Sequence, residues 1–188
     1  SKAQNISSQL WAIANDLRGT MDASSFKNYI LPFLFYKYLS SHQEEYLINN
    51  DLVDVSDGKS VNVAYKELVE DAGLEACLID IAGTLGYAIN PEDTWASLIE
   101  SIHNGSVIPS DYQRLFENFN KNAEINEEAA ADFRGIFNYV NLGDSGLGST
   151  IAGRTKTLNA VVTKIDEIEY KDESGRDILG EIYEYLIG

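Results

Sequence analysis

Pro109-Ser110-Asp111-Tyr112-Gln113-Arg114-Leu115-Phe116-Glu117-Asn118-Phe119 sets Tyr112, Leu115, Phe116 and Phe119 at i, i+3, i+4 and i+7, behind a proline at a favoured helix start. A helix gathers those four rings and branches onto one stripe, whereas a strand would split them between two faces. The same spacing recurs in both directions. Upstream, Trp95, Leu98, Ile99 and Ile102 make a stripe ended by Gly105; it is opened by Asn90 as a cap, Pro91 in the first turn, and Glu92 and Asp93 facing the positive end of the dipole. Tyr65, Leu68 and Val69 run to Gly73, and Leu78, Ile79 and Ala82 run to Gly86. A longer helix after the capping Asp22 carries Phe26, Ile30, Phe33, Leu34, Tyr38 and Leu47, with a kink or shortened start at Pro32. The first face is Leu10, Ile13, Ala14 and Leu17, ended by Gly19.

Downstream, Ala130, Phe133, Phe137 and Val140 form another stripe. A glycine-rich break from Gly143 to Gly148 follows, then Ile151, Thr155, Leu158, Val162 and Ile165, and a last helix from about Ser174 through Ile178, Ile182, Tyr185 and Leu186. Between Leu52 and Val63, Val53 and Val55 alternate ahead of an Asp57-Gly58 turn, a pattern compatible with one small β-hairpin over residues 52–63. The expectation is an all-α fold, a single multi-helix, bundle-like domain.

The longest apolar candidate, Ile30 to Leu39, is broken by Pro32 and Lys37 and falls short of the roughly 20 residues a membrane span needs. Ser1 to Leu10 lacks the basic and apolar regions of a signal peptide, so a cytoplasmic protein with no membrane partner is expected. The single cysteine, Cys77, lies among Leu74, Ala76 and Leu78 and reads as a buried core thiol. The net charge of -16 argues against a nucleic-acid surface, because DNA affinity comes largely from Lys and Arg neutralising phosphates. The distribution is uneven, however. Residues 44–132 hold 19 acidic and 4 basic side chains, while residues 133–165 hold 1 acidic and 4 basic.

No catalytic, cofactor-binding or metal set emerges. Gly143, Gly146, Gly148 and Gly153 miss a dinucleotide fingerprint, since Ile151 stands where a glycine is needed, and the Gly-Lys-Ser/Thr of a P-loop is absent. Gly143-Asp144-Ser145-Gly146 matches the tetrapeptide around a trypsin-like nucleophile, but that fold is all-β and the only histidines are His42 and His103. Asp51, Asp54 and Asp57 lead into Gly58, yet Val53 and Val55 occupy positions where a calcium loop requires acids. One cysteine and two distant histidines exclude the usual zinc sets. With only Pro32, Pro91 and Pro109, the Asn/Asp-Pro-Pro-Tyr/Phe loop of amino-methyltransferases is missing.

Several stretches nonetheless resemble the N-terminal helical domain of the methylation subunit of type I restriction-modification DNA methyltransferases. They are Leu10-Trp11 to Leu17-Arg18; Phe26-Lys27-Asn28-Tyr29-Ile30-Leu31-Pro32-Phe33-Leu34-Phe35-Tyr36-Lys37-Tyr38-Leu39-Ser40; Pro91 with Trp95 and Leu98; and Phe133-Arg134-Gly135-Ile136-Phe137. Further on come Leu147-Gly148-Ser149-Thr150 with Arg154 and Leu158, and Asp177-Ile178-Leu179-Gly180-Glu181-Ile182-Tyr183-Glu184-Tyr185-Leu186-Ile187, the most specific of them. Their order along nearly the whole chain carries the likeness.

The resemblance implies that residues 1–188 are that helical domain, and that a Gly-x-Phe-Tyr-Thr-Pro segment and the catalytic domain would follow residue 188. The complete subunit would be an S-adenosylmethionine-dependent adenine-N6 DNA methyltransferase, with the flipped base and cofactor both outside this chain. Implied partners are a specificity subunit, a second methylation subunit, a nuclease subunit and, through the assembly, DNA; the domain would help two methylation subunits clamp around it. Arg134, Arg154, Lys156 and Lys164, in the locally positive segment, are the candidates for DNA contact, with a solvated helix face as the competing reading. A stand-alone acidic helical binder or DNA mimic, or an unrelated helical adaptor, remains the alternative.

Overall fold

The computed structural model describes residues 2–16 and 23–187; the side chains of residues 14–27, 183 and 185–187 lie outside that description. The helices are α1 (Lys2–Asp16), α2 (Ala23–Asn49), α3 (Val61–Ala72), α4 (Leu74–Leu85), α5 (Trp95–His103), α6 (Pro109–Ala123), α7 (Ala130–Phe133), α8 (Ile151–Glu167) and α9 (Leu179–Ile187). Among the described residues there is no β-strand, only an isolated bridge between Lys171 and Asp177. The fold is all-α, as the periodicity predicts. No described helix is long and apolar enough to cross a membrane.

The chain divides into two compact units. One comprises residues 1–38, 107–109 and 139–188, in which α1 packs against α8 and α9. Its core includes Ile6, Leu10, Phe33, Leu34, Leu158, Val162 and Ile165. The other comprises residues 39–106 and 110–138, where Leu47, Tyr65, Leu78, Ile81, Ala82 and Ala88 form a buried cluster. All four side chains of the Tyr112–Phe119 stripe are buried, with Phe119 stacked on Tyr87 and edge-on to Phe137. Cys77 is buried as expected, and burial pushes its thiol pKa up.

Local departures from the sequence reading each have a visible cause. The hairpin over 52–63 does not form: the Ser60 hydroxyl accepts from Val63 N–H at 3.2 Å and caps α3, so Val61 and Val63 are helical. Helix α2 runs through Pro32 rather than starting after it. Asn90 opens only a 3-10 turn, and the cap of α5 is Thr94, whose Oγ1 accepts from Ser97 N–H at 3.1 Å. The stripe from Ala130 to Val140 is helical only to Phe133, because Arg134 turns extended and Gly135 takes φ +71°. Ser174 sits in a turn held by Asp172, and α9 begins later, where Asp177 accepts from Leu179 N–H at 2.9 Å. Ile79 and Ile151, placed on buried stripes by spacing, are 53% and 60% exposed. Expectations at Ala14, Leu17, Gly19, Asp22, Phe26, Tyr185 and Leu186 lie outside the described residues and side chains.

Gly86 ends α4 at φ +86°, and a Cβ there would meet Ala129 Cβ and Phe133 Cε2 at 3.0 Å. Gly83, inside the same helix, faces open space. Gly86→Ala therefore lowers stability by roughly 1–3 kcal/mol, while Gly83→Ala raises it by about 0.5 kcal/mol. Urea unfolding of the two variants checks the opposite signs.

Candidate functional site

The locally positive segment begins in the glycine-rich loop before α8. Asn141 and Asp144 fold this loop on itself: the Asn141 Oδ1 accepts from Gly143 N–H at 3.0 Å and the Asp144 Oδ1 from Gly146 N–H at 2.8 Å. The Tyr29 hydroxyl donates to Asn141 O at 2.7 Å and to Asp144 Oδ2 at 3.1 Å. Thr150 caps α8 by accepting from Gly153 N–H at 2.9 Å, and Thr157 Oγ1 donates to Leu147 O at 2.6 Å. The amides of Gly143, Gly146 and Gly153 are thus committed internally and are not free to cradle an anion.

Around this loop, Arg154 donates to Gly148 O at 3.3 Å, Lys156 is exposed, and Lys164 is half-buried further along α8. Arg134 belongs to the other unit and makes a bidentate pair with Glu124, at 2.5 and 2.7 Å. Three of the four candidates share one unit, and the fourth, Arg134, belongs to the other and is paired with Glu124.

The second unit holds a dense polar centre that the sequence did not suggest. Residues Gly86 to Asn90 are all buried without regular structure, and the buried Pro91 follows them at the start of the 3-10 turn. Gln43 donates to Ile89 O at 3.1 Å and accepts from Ile89 N–H at 2.7 Å, and Tyr65 donates to the same carbonyl at 2.7 Å. Asn122 donates to Ala88 O at 2.9 Å and to Asn90 Oδ1 at 2.7 Å, which explains why Asn90 caps nothing. Asp93 is 1% exposed; Asn118 donates to it at 2.8 Å and Arg114 lies 3.4 Å away. Among the described residues, no group of three or more His, Cys, Asp or Glu side chains converges as a metal site.

The sequence pattern of the HsdM N-terminal domain matches residues 6–165. The chain belongs to this family. The type I restriction enzyme MpnII methylase subunit of Mycoplasma pneumoniae is 29% identical over 189 residues, covering 97% of this chain and 34% of that protein. The crystal structure of a type I restriction-modification system methyltransferase subunit from Streptococcus thermophilus superimposes with a TM-score of 0.78 at 28% identity, covering 99% of this chain and 38% of that one. The chain therefore spans about a third of the length of these relatives. The match to the HsdM N-terminal domain displaces the readings as a DNA mimic or an unrelated adaptor.

Within this HsdM N-terminal domain, burial pushes the Asp93 carboxyl above its usual 3.8, against the opposing pull of Asn118 and Arg114. A carboxyl raised on folding stabilises most below its unfolded pKa, and that contribution is lost as pH rises through the folded value. Urea unfolding of the parent chain and Asp93→Asn across a pH series should show the parent's relative advantage greatest in acid and shrinking above about pH 4. A constant difference across the series contradicts this.

Proposed function

We propose that this chain is the helical, non-catalytic part of an adenine-N6 DNA methyltransferase subunit of a type I restriction-modification system. The whole subunit binds S-adenosylmethionine in a catalytic domain following residue 188 and works in the cytoplasm with a specificity subunit, a second methylation subunit and a nuclease subunit. In that assembly the helical domain packs subunits together and helps clamp DNA. The observation that carries this reading is the end-to-end likeness to methylation subunits about three times longer, in a chain lacking the Pro-Pro loop of amino-methyltransferases.

The charge distribution supports the DNA-facing part. Residues 1–38, 107–109 and 139–188 carry 9 basic and 11 acidic side chains, whereas residues 39–106 and 110–138 carry 5 and 19. Phosphates approach the first unit with little repulsion, and Arg154, Lys156 and Lys164 lie there. Arg134 lies in the acidic unit, where it is paired with Glu124.

In the complete subunit assembled with its specificity partner, Arg154→Glu with Lys156→Glu weakens binding to site-containing duplex in an anisotropy titration. Each lost phosphate contact lowers the salt slope by about 0.9. Unchanged affinity and slope remove these residues from the interface. In the same preparation, the full subunit transfers methyl groups to adenine and the 188-residue chain alone transfers none.

A further inference from the structure

A groove of about 500 Å³ runs between α4 and α6 in the acidic unit, within the volume range of roughly 300–1,000 Å³ typical of ligand pockets. Its apolar wall holds Leu74, Ile79 and Ile125, which are 38%, 53% and 38% exposed. Its polar wall is a stripe on α6, Asn118, Lys121 and Asn122, with Glu75 on α4.

The amides are oriented by what lies behind them. Asn122 is 3% exposed and spends its Nδ2 on Ala88 O and Asn90 Oδ1, while Asn118 spends its own on Asp93. No described residue donates to the Oδ1 of either, and Glu75 has no ion-pair partner among the described residues. The groove thus offers unfilled acceptors beside an apolar wall. It sits in a unit with 19 acidic and 5 basic side chains, of which Lys59, Arg114 and Arg134 are already paired with carboxylates.

We propose that this groove docks an arginine-bearing amphipathic segment of a basic partner protein. An arginine stem lies against Leu74, Ile79 and Ile125, and its guanidinium donates to Glu75 and to the carbonyl oxygens of Asn118 and Asn122. Arginine suits the site better than lysine because its planar head presents five donors at once and is more weakly hydrated. Nucleic acid is disfavoured by the surrounding negative charge. Lys121 is the one lining side chain of the wrong sign, which gives the charge argument a direct test.

The test uses the 188-residue chain, isotope-labelled, and two synthetic helical peptides that share a leucine face and carry either arginine or glutamate beside it. The arginine peptide binds and shifts the side-chain amide signals of Asn118 and Asn122; the glutamate peptide does not. Glu75→Lys weakens the arginine peptide about ten-fold, Ile79→Ser weakens it, and Lys121→Glu tightens it several-fold. Glu100→Lys, the same charge change on an exposed residue of α5 outside the groove, changes affinity less than about two-fold. The proposal is overturned by comparable binding of the glutamate peptide, by equal losses from Glu100→Lys and Glu75→Lys, or by duplex DNA shifting the same signals. It stands or falls independently of the DNA contacts on α8.

Discussion

Gln43 meets the backbone of Ile89 twice, donating to its carbonyl and accepting from its amide, and this exchange lets the acidic unit bury a segment with no regular structure. Residues 87–90 have neither helix nor ladder to satisfy their peptide groups, and each buried orphan costs about 1–3 kcal/mol. Side chains from four directions fill the gap: Gln43 and Tyr65 at Ile89, Asn122 at Ala88, and Ser97 at Pro91 O, 2.7 Å away. Ser40 then accepts from Trp95 N–H at 2.9 Å and Thr94 caps α5. Helices α2, α3, α5 and α6 are thereby held around one irregular strip, and the core cluster at Leu47 and Tyr65 packs beside it.

The overall charge hides the division that matters. A net -16 over the chain argues against a nucleic-acid surface, but nearly all of it belongs to one unit, and the other carries 9 basic side chains against 11 acidic. Screening at physiological salt extends only about 8 Å, so a phosphate at the surface responds to the nearby unit more than to the total. One chain therefore presents two different fields, one nearly balanced and one strongly acidic.

What was legible in the sequence is what depends on spacing alone. The Tyr112–Phe119 stripe, the glycine ends of α3 and α4, and the buried face of α8 all follow from periodicity. The errors arose where a distant partner overrides the local pattern. Asn90 has the sequence of a cap, but Asn122, thirty-two positions away, takes its side chain. Phe137 keeps the helical interval yet reaches its aromatic neighbours from a turn, since ring contacts with Phe116 and Phe119 do not require helix beneath them. Ile79 fits its stripe but faces the groove, and spacing cannot tell a core from a cavity wall. The polar centre was illegible for the same reason: Gln43 and Ser40 lie within an apolar helix and look like ordinary surface residues there.

The α8 candidates are sorted by the helix itself. At about 100° per residue, Arg154 and Lys156 leave the axis roughly 160° apart, so they cannot address one phosphate row together. Arg154 falls between Val161 and Ile165 on the buried side of the helix, which agrees with its bond to Gly148 O and its partial burial. Lys156 and Lys164 lie about 80° apart on the outward side, separated by about 12 Å along the axis. One helix thus carries its positive charges on two sides, with Arg154 bonded to the loop from which α8 starts and the two lysines facing outward.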